Sequence, residues 1–454
     1  MTDRDFFGSE APNARNVAAT VLVRVWEEAA YASLALDAEL DRHPGLDRRD
    51  AALATELVYG VLRTAASLER SIGKHATGDR YRRKPFVRAH MLIAAYSIAF
   101  LERVPPFAAV SEAVSAIKSE AGTQVAGFAN AVLRKVAGDV PARGTAPLAG
   151  SPAESAARMR LARAIADSPP AWLRKALAES LGSGDAAEAF LLADPIPAAN
   201  LCLRSGRSRE EWLVTLREAV PLAEVCAGSL SERCIIVRGA GDPERLPGAG
   251  RDWTVQEEGA QLIAMVVGAQ PGDHVLDACA GRGGKTMLLA ELVSPDGAVD
   301  AADRHPNKLA RIVSPTVRDR FPIDWSVGSG GLERTYARVL VDAPCTGTGT
   351  LRRRPEIAER LGAADPERMA VVQLGIAARV ASHLEPGGRM IYAVCSVLRA
   401  ECEGVVDALA AYGLERCPFD TELGARLAEG GTSFRLLPHV HGTDGYFVAS
   451  LRKV

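Results

Sequence analysis

The stretch from Arg338 to Gly349 decides the fold of this 454-residue chain, and it reads RVLVDAPCTGTG. Its apolar, β-branched beginning predicts a buried strand, which ends in the carboxylate of Asp342 and the thiol of Cys345 before a glycine-containing turn. A second apolar run, Arg389–Ser396 (RMIYAVCS), delivers Cys395 in the same way. Ligands bind outside the carboxyl ends of strands in open parallel sheets, so we expect both thiols to face one substrate.

A single cysteine at a strand end is weak evidence for chemistry, because free cysteine is among the most buried residue types and usually packs as a small hydrophobe. The joint pattern carries more information. Asp342 and Pro344 precede one thiol, and the other thiol ends a similar strand. We therefore interpret Cys345 and Cys395 as reactive groups rather than as packing residues.

The composition is that of an ordinary globular protein, with 48% hydrophobic residues and a formal net charge of -2. The length exceeds what one core supports and predicts about three domains. Because no global basic field is present, any nucleic-acid surface must be local. The eight cysteines form no close C-x-x-C pair of the zinc-binding kind, which predicts reduced thiols and no metal site. With no signal peptide at the amino terminus and no 18-residue apolar run, we expect a cytoplasmic protein without a membrane partner.

The sequence pattern changes along the chain. Residues 1–140 show helical spacing of apolar residues, with breaks at proline and glycine, and predict an all-α domain. Residues 141–158 are small, contain proline and glycine without periodicity, and predict a linker. Residues 159–250 predict a helix plus a small α+β module. From residue 251 to residue 454, strands alternate with helices as in an α/β domain with a doubly wound, mostly parallel sheet.

The helical region contains one locally basic segment, Arg80–Arg88, which reads RYRRKPFVR. Its five cations and two aromatic residues, Tyr81 and Phe86, are of the types that bind phosphates and stack on bases. The alternative is a charged loop in solvent.

A glycine-rich turn follows another predicted strand in Val275–Thr286, which reads VLDACAGRGGKT. Glycines let the backbone approach a ligand closely, and the start of a helix offers free N–H groups. The Gly-Lys-Thr triplet is excluded as a phosphate loop of nucleotide triphosphatases, because that motif requires glycine where Cys279 stands. Asp303 follows the next predicted strand, Ala298–Ala302, at a position where an acid binds ribose hydroxyls. Dinucleotides and S-adenosylmethionine both satisfy this pattern.

The combination of this turn with Asp-Ala-Pro-Cys and a second strand-end cysteine resembles the RNA cytosine-carbon-5 methyltransferases. Further segments are similar to those of that family: Trp253–Gln261, Leu351–Ile357 and Asp444–Ala449. The helical front resembles the NusB-type RNA-binding domain at Asp50–Arg63 and Phe128–Arg134. The fusion of the two is typical of bacterial 16S rRNA enzymes of the RsmB (Sun/Fmu) type.

This resemblance implies a multidomain fold: an all-α NusB-like domain, an α+β RNA-binding module and a Rossmann-like NOL1/NOP2/Sun methyltransferase domain. It implies S-adenosylmethionine as the cofactor. The residues that it assigns to cofactor binding are Asp277, Cys279, Ala280, Gly281, Arg282, Gly283, Gly284, Lys285, Asp303, Ser329 and Asp342.

The resemblance also implies a covalent mechanism. Carbon 5 of cytosine is a poor nucleophile, and a thiolate that adds to carbon 6 makes carbon 5 enamine-like. The attack is assigned to Cys395 and the later release step to Cys345. Asp342 is expected to donate a proton at the nitrogen edge of the ring, which requires a raised pKa. Lys285 and Arg352 are expected to supply the positive charge that thiolates need.

The chain departs from the family pattern at several positions. Gly281-Arg282 stands where the family usually has Ala-Pro, and Ser329 stands where an aspartate contacts the adenine side of the cofactor. Cys402 replaces an asparagine, and Arg354 replaces a histidine.

The implied partner is 16S ribosomal RNA, free or in an early small-subunit particle, and we expect a monomer. Two alternatives stay open: a non-catalytic RNA-binding or antitermination protein on the same scaffold, and a cytosine-C5 methyltransferase of another RNA. A methyltransferase acting on an amino nitrogen is less compatible with the sequence, since such sites typically have a polar-Pro-Pro-aromatic strand end.

Overall fold

The computed structural model describes residues 13–140, 152–193 and 198–454, in which two units are distinguished. The first unit runs to Ala171 and also includes Arg354–Arg360. The second unit contains Trp172–Arg353 and Leu361–Val454.

The first unit is helical, as the spacing of its apolar residues predicts. Its helices are α1 Ala14–Glu27, α2 Ala32–Arg42, α3 Arg48–Gly73, α4 Pro85–Phe100, α5 Pro106–Ala121, α6 Thr123–Asp139 and α7 Pro152–Ala166. The Asn13 and Asp47 side chains accept hydrogen bonds from the free N–H groups that begin α1 and α3. Proline begins α4 and α5, where its missing N–H costs nothing. Helix α4 is the most deeply buried and lies at the centre of the core.

Helix α7 differs from the predicted linker at 141–158. Residues 141–151 lie outside the described part of the chain, and α7 occupies the remainder of that range. Leu161 of α7 packs against the core formed by the preceding helices, so the first unit extends through Ala171 instead of ending at residue 140. The reason is tertiary: an alanine- and arginine-rich segment with weak periodicity becomes a helix because it covers an apolar surface.

The basic segment begins as a short 3-10 helix, Arg80–Arg83, and runs into α4. Tyr81 and Phe86 are only 4% and 8% exposed, so the prediction that these rings stack on bases is wrong: they fill the core instead. Arg82 pairs with Glu69 at 3.0 Å, whereas the side chains of Arg83 and Lys84 point into solvent.

A distant segment, Arg354–Arg360, completes the first unit. Glu359 accepts hydrogen bonds from the Trp26 indole N–H at 2.7 Å and from the Arg88 guanidinium at 3.1 Å. The Arg360 guanidinium donates to the carbonyl oxygens of Val25 and Ala30. Arg354, which stands in the place of the family's histidine, lies over the Tyr31 ring.

The second unit begins with two helices and a small antiparallel sheet. Its first elements are α8 Ala171–Leu181, α9 Gly184–Leu192, β1 Ala199–Leu203, α10 Arg209–Ala219, β2 Glu224–Ala227, β3 Cys234–Arg238 and β4 Trp253–Val255. The strand order is β2-β3-β1-β4. The predicted α+β module is therefore present, but β4 belongs to it, although the sequence suggested that the last domain begins at residue 251. Three residues are too few to indicate their partner, and β4 pairs with β1.

The remainder of the second unit is built on an eight-stranded sheet of order β10-β12-β9-β8-β5-β6-β7, with β11 paired to β12. Its strands are β5 His274–Asp277, β6 Ala298–Ala302, β7 Val317–Phe321, β8 Tyr336–Asp342, β9 Leu384–Val394, β10 Leu414–Arg416, β11 Ser433–Leu436 and β12 Tyr446–Lys453. Its helices are α11 Glu258–Met265, α12 Gly284–Val293, α13 Pro306–Leu309, α15 Asp365–Ala381, α16 Glu403–Ala408, α17 Glu422–Leu427 and α18 Pro438–His441. The intervening short helix α14, Ile357–Arg360, belongs to the first unit.

Strands β5 to β9 are parallel, and β12 runs antiparallel to β9. The chain moves outward from β5 through β6 to β7, and then returns to place β8 on the other side of β5. This reversal is the topological switch point of a doubly wound fold, where ligands bind at the carboxyl ends of the strands. None of the described helices is long and apolar enough to cross a membrane.

Candidate active site

The carboxyl edge of the parallel sheet collects the predicted chemical groups. Asp277 is the last residue of β5, and Asp342 is the last residue of β8. Asp303 and Cys395 directly follow β6 and β9. Neighbouring parallel strands end at the same edge, which is why residues so far apart in sequence become neighbours.

The two predicted thiols lie side by side. The Sγ atoms of Cys345 and Cys395 are 3.2 Å apart and share a hydrogen bond. That hydrogen bond and burial raise the pKa of Cys345 well above its ordinary value. A thiol with a raised pKa stays protonated near neutral pH, so Cys345 can donate its proton toward the sulfur of Cys395.

Close backbone packing fixes the loop that carries Cys345. The Gly349 N–H donates to the Cys395 carbonyl oxygen at 2.9 Å, and the Gly445 N–H donates to the Gly349 carbonyl oxygen at 2.8 Å. A Cβ atom on Gly349 would lie 1.9 Å from the Gly445 carbonyl oxygen. The glycine is therefore needed because two other backbone segments approach it.

Lys285 forms an ion pair with Asp342, whose Oδ2 lies 2.7 Å from the Lys285 ammonium. Burial alone lowers the pKa of Lys285, but the Asp342 carboxylate and the Cys395 sulfur raise it, and the net direction is upward. The ammonium is thus within electrostatic range of the thiol. The structure thus gives Asp342 a cation partner, which was expected from the sequence to serve the thiols.

Arg352, the other predicted cation, forms an ion pair with a carboxylate. It is buried and bonds to Asp444 at 2.5 Å and to the Gly442 carbonyl oxygen at 3.0 Å. The sequence could not show this ion pair, because Asp444 lies 92 positions away. For Lys285, the other predicted cation, the Cys395 sulfur is among the groups that raise its pKa.

The glycine-rich turn links β5 to α12, as predicted. Gly281 and Gly283 have φ values of +56° and +89°, in the left-handed region that favours glycine. A Cβ on Gly283 would lie 2.6 Å from Ile312 Cγ1, whereas one on Gly281 would meet open space. Gly284 begins α12, and the exposed Arg282 lies between the two turn glycines.

Asp277 lies beneath this turn and is 1% exposed. Burial raises its pKa to about 6, although the Thr286 hydroxyl, 2.7 Å from Oδ2, acts in the opposite direction. The other oxygen, Oδ1, is buried and has no hydrogen-bond partner within the described part of the chain. An unsatisfied buried carboxylate oxygen is a ready acceptor for a ligand.

Cys279 and Ala280 lie at the start of the same turn, between β5 and Gly281. Burial and the nearby carboxylates of Asp277, Asp342 and Asp303 raise the pKa of the Cys279 thiol well above its ordinary value. This thiol is therefore a poor nucleophile. The Ala280 N–H donates to the Ala302 carbonyl oxygen at 2.8 Å, which joins the turn to the end of β6.

Asp303 is held by backbone groups on both sides of the site. Its Oδ2 accepts from the Gly281 N–H at 3.0 Å, and its Oδ1 accepts from the His305 N–H at 2.8 Å. Each carboxylate oxygen keeps a further lone pair. The carboxylate can therefore still accept hydrogen bonds from a ligand.

Ser329 lies in the loop after β7, and its carbonyl oxygen accepts from the Leu332 N–H at 3.0 Å. The carboxylate nearer to the strand end is Asp324, which accepts from the Ser326 N–H at 2.9 Å. The next residue, Trp325, donates its indole N–H to the Ala278 carbonyl oxygen at 2.7 Å and brings this loop against the glycine-rich turn. Sequence reasoning missed Asp324, although an acid that follows a strand was an available signal.

Two further positions complete the site. Cys402 is fully buried and its thiol lies 3.5 Å from the Ser396 carbonyl oxygen, as expected of a packing residue. Glu401 is also fully buried and bonds to Thr346 and Ser396, the residues after the two thiols. Sequence reasoning did not single it out, since a glutamate in a loop is usually solvated. Among the described residues, no group of three histidine, cysteine, aspartate or glutamate side chains is arranged to hold a metal ion.

Two family models match the chain. The model described as 16S rRNA methyltransferase RsmB/F matches residues 264–452, and the model of the NusB family matches residues 12–138. The first match contains the glycine-rich turn and both thiols.

Curated relatives match nearly the full length. The chain is 35% identical to a putative methyltransferase of Mycobacterium tuberculosis, over 97% of this chain and 96% of the relative. It is 32% identical to the ribosomal RNA small subunit methyltransferase B of Pseudomonas putida, and 30% identical to the probable enzyme of that name from Bacillus subtilis. Both of these matches cover 97% of this chain and 99% of the relative.

Solved structures show the same fold. The crystal structure of PH0851 is similar with a TM-score of 0.76 and 21% identity, over 98% of this chain and 100% of that chain. NSun6 from Pyrococcus horikoshii, determined with SFG, is similar with a TM-score of 0.55 and 18% identity. That match covers 63% of this chain and 98% of NSun6.

Proposed function

Because the chain belongs to the ribosomal RNA small subunit methyltransferase B family, and so is an S-adenosylmethionine-dependent rRNA methyltransferase, we propose that it methylates carbon 5 of a cytosine in 16S rRNA through a covalent cysteine–cytosine intermediate. One observation carries the proposal: two thiols with sulfur atoms 3.2 Å apart lie at the strand ends beside the Lys285–Asp342 ion pair.

The glycine-rich turn fits S-adenosylmethionine. We assign the unsatisfied Oδ1 of Asp277 as an acceptor for the N–H groups of the cofactor, and Asp303 as the acceptor for its ribose hydroxyls. The open side of Gly281 lets a ligand approach the backbone. When bound, the cofactor supplies a methyl group carried on a positively charged sulfur.

The cofactor proposal also revises one residue. Asp324 follows β7 and shares its loop with Trp325, which touches the glycine-rich turn. We assign to Asp324 the adenine-side role that the family resemblance assigned to the position of Ser329. The other predicted cofactor residues, from Asp277 through Lys285 with Asp303 and Asp342, keep their proposed roles.

Cys395 is the proposed nucleophile. Its sulfur accepts the hydrogen bond of the protonated Cys345 thiol and lies within electrostatic range of Lys285. Both contacts favour the thiolate form. The thiolate adds to carbon 6, the carbon–sulfur bond forms, and the electron pair of the ring double bond moves toward carbon 5 and the nitrogen edge.

The Lys285–Asp342 pair is proposed to hold that nitrogen edge. The Asp342 carboxylate accepts a hydrogen bond from the exocyclic amino group, and the Lys285 ammonium donates toward ring nitrogen 3 as charge develops there. Lys285 remains protonated because its pKa is raised. Because Lys285 is the proposed hydrogen-bond donor to the ring, Asp342 does not need to be protonated in this proposal.

Cys345 is the proposed base for the final step. After methyl transfer, carbon 5 still carries its proton, which must leave before the carbon–sulfur bond can break. The Cys395 sulfur is the largest cause of the raised pKa of Cys345, and this effect weakens once that sulfur is bonded to carbon 6. Cys345 then loses its proton to solvent, takes the proton from carbon 5, and Cys395 departs as the thiolate.

Mapping of 5-methylcytosine tests the proposed function. The 16S rRNA of a strain lacking this gene should lose one 5-methylcytosine, which the purified protein and S-adenosylmethionine restore in vitro. An unchanged 16S rRNA with loss of the modified base from another RNA would move the proposal to that RNA. No change in any RNA would support the non-catalytic alternative.

A further inference from the structure

A single carboxylate connects the two loops that carry the thiols. Glu401 Oε1 accepts from the Thr346 N–H at 2.8 Å, and Oε2 accepts from the Thr346 hydroxyl at 2.5 Å. Oε2 also accepts from the Ser396 hydroxyl at 2.6 Å. Thr346 follows Cys345 and Ser396 follows Cys395, so this side chain joins the positions next to both sulfurs.

The surrounding side chains support the same connection. Gln373 is fully buried and donates to Glu401 Oε1 at 3.0 Å and to the Pro344 carbonyl oxygen at 2.9 Å, one residue before Cys345. The Tyr392 hydroxyl, on β9 before Cys395, donates to the Gln373 amide oxygen at 3.1 Å. Both strand ends are therefore held in one buried hydrogen-bond network.

Burial of the Glu401 carboxylate is by itself energetically unfavourable. It is 0% exposed, and no lysine, arginine or histidine in the described ranges pairs with it. Burial of an unpaired carboxylate is unfavourable unless hydrogen bonds replace its lost hydration. Four hydrogen bonds from the two loops and Gln373 do so. A group of this kind ties its donors together strongly, because each donor loses a charged partner if it moves.

We propose that Glu401 is the positioning residue that sets the separation of Cys345 and Cys395. The inference rests on the proposed function, in which both sulfurs act on adjacent carbons of one ring. Glu401 touches neither sulfur directly. It acts through Thr346 and Ser396, and it keeps the two loops in register at the point where β8 and β9 no longer hold them.

The separation of the thiols can be measured without RNA or cofactor. Diamide oxidises two neighbouring thiols to a disulfide, with its own azo group reduced to a hydrazine by the two electrons and two protons released. In the full-length protein we expect a disulfide to form rapidly between Cys345 and Cys395, and peptide mass mapping identifies it. We call the rate of this disulfide formation the closure rate. The rate depends on how often the sulfurs meet and on the thiolate fraction, and loss of the Glu401 charge would lower the pKa of Cys345 and by itself speed the reaction. If positioning dominates, Glu401→Ala should nevertheless slow the reaction by roughly tenfold or more.

Two further variants separate positioning from general destabilisation. Glu403→Ala is the matched control, because Glu403 lies only two residues further on, at the start of α16, and pairs with Arg435 on β11. In this control the disulfide should form at the wild-type rate. Glu401→Gln keeps the size and part of the hydrogen bonding, and should recover most of the closure rate. Ser396→Ala removes one connection and should give an intermediate rate even if Glu401→Ala does not fold.

The outcomes are distinct. Slow closure in Glu401→Ala and Ser396→Ala, with circular dichroism and a thermal midpoint that show a folded protein, supports positioning by Glu401. A closure rate within twofold of wild type in folded Glu401→Ala or Ser396→Ala overturns it, as does equal slowing in Glu403→Ala. Since the assay contains no substrate, failure of the methylation chemistry would leave this result unchanged.

Discussion

At the scale of single residues, the environment of each group decides its chemistry more than its type does. Three cysteines follow strands or turns at the same edge of the sheet, yet Cys279 is surrounded by carboxylates while Cys395 lies near an ammonium. From the sequence, both Lys285 and Arg352 are expected to supply positive charge to the thiols; the structure shows Lys285 within electrostatic range of Cys395, and Arg352 in an ion pair. The difference is the partner Asp444, which no local pattern reveals.

Asp277 gives a prediction on pH. Burial raises its pKa to about 6, and the cofactor role requires the ionised form as an acceptor. The dissociation constant for S-adenosylmethionine should therefore rise by about tenfold for each pH unit below 6. Titration calorimetry between pH 5 and pH 7.5 measures this. Asp277→Asn should bind weakly without that slope, and the exposed-site control Asp296→Asn should keep it; a flat wild-type profile would exclude Asp277 from the binding site.

Asp277 also makes the folding stability depend on pH, and here a rise in pH is unfavourable, whereas it favours cofactor binding. The folded pKa of about 6 lies above the unfolded value near 3.9, so the folded protein binds more protons between those values. Its contribution to stability is fully present below the lower value and is lost as the pH rises through 6. The loss is at most about 3 kcal/mol, from about two pKa units at 1.36 kcal/mol each. Asp277→Asn should flatten the decrease of the unfolding free energy over this range.

At the scale of elements, the site depends on how closely the loops after β8 and β9 approach β12. Gly349 is the tightest point, since any Cβ there would lie 1.9 Å from a backbone oxygen of Gly445. Gly349→Ala should therefore lower the unfolding free energy by about 2–3 kcal/mol and abolish methyl transfer. Denaturant unfolding with a methylation assay measures both.

Gly375 provides the matched control for that variant. It lies within α15, and a Cβ there meets nothing within 4 Å. Gly375→Ala should leave activity unchanged and stabilise the helix by up to about 1 kcal/mol. Equal effects of the two substitutions would mean that the close approach of the loops is not required.

The elements that the sequence predicted well are those with strong internal patterns. Strand β6 was expected at its observed bounds, Ala298–Ala302, because an apolar run ends in an acid. Helix α7 and strand β4 were assigned to the wrong regions. Their positions are set by the surfaces they cover, since α7 packs on the helical core and β4 pairs with β1. Weak local patterns do not contain that information.

At the scale of the whole molecule, a near-neutral chain with a net charge of -2 must meet RNA through local cations. Arg83 and Lys84 are exposed, and Arg83 lies 3.9 Å from the Asp79 carboxylate, whereas Arg82 pairs with Glu69 at 3.0 Å. The double variant R83A/K84A should weaken rRNA binding and reduce the slope of log affinity against log salt by about 1–2. Filter binding over a range of salt concentrations measures the slope.

The control removes the same charge from the same unit. Arg48 and Arg49 are exposed in the first turn of α3, so R48A/R49A tests whether any loss of two cations has this effect. The control should keep the wild-type slope. A slope unchanged in R83A/K84A would show that these residues are only solvated and that RNA binds elsewhere.

The division of the molecule was predictable only in part. Breaks at proline and glycine located the helices of the first unit, and the alternation of strands and helices predicted the doubly wound sheet. No local pattern indicates that Arg354–Arg360 belongs to the first unit, because its contacts are with Trp26, Tyr31 and Arg88, more than 250 positions earlier in the chain.

The different timing of the two thiols is the central claim, and trapping of the covalent complex tests it most directly. Each variant is incubated with S-adenosylmethionine and 16S rRNA and separated on a denaturing gel. Cys345→Ala should attack and transfer the methyl group but fail to release, so that protein and methylated RNA migrate together. Cys395→Ala should form no such complex. A covalent complex from Cys395→Ala and none from Cys345→Ala would reverse the roles, and wild-type activity in both variants would contradict the account.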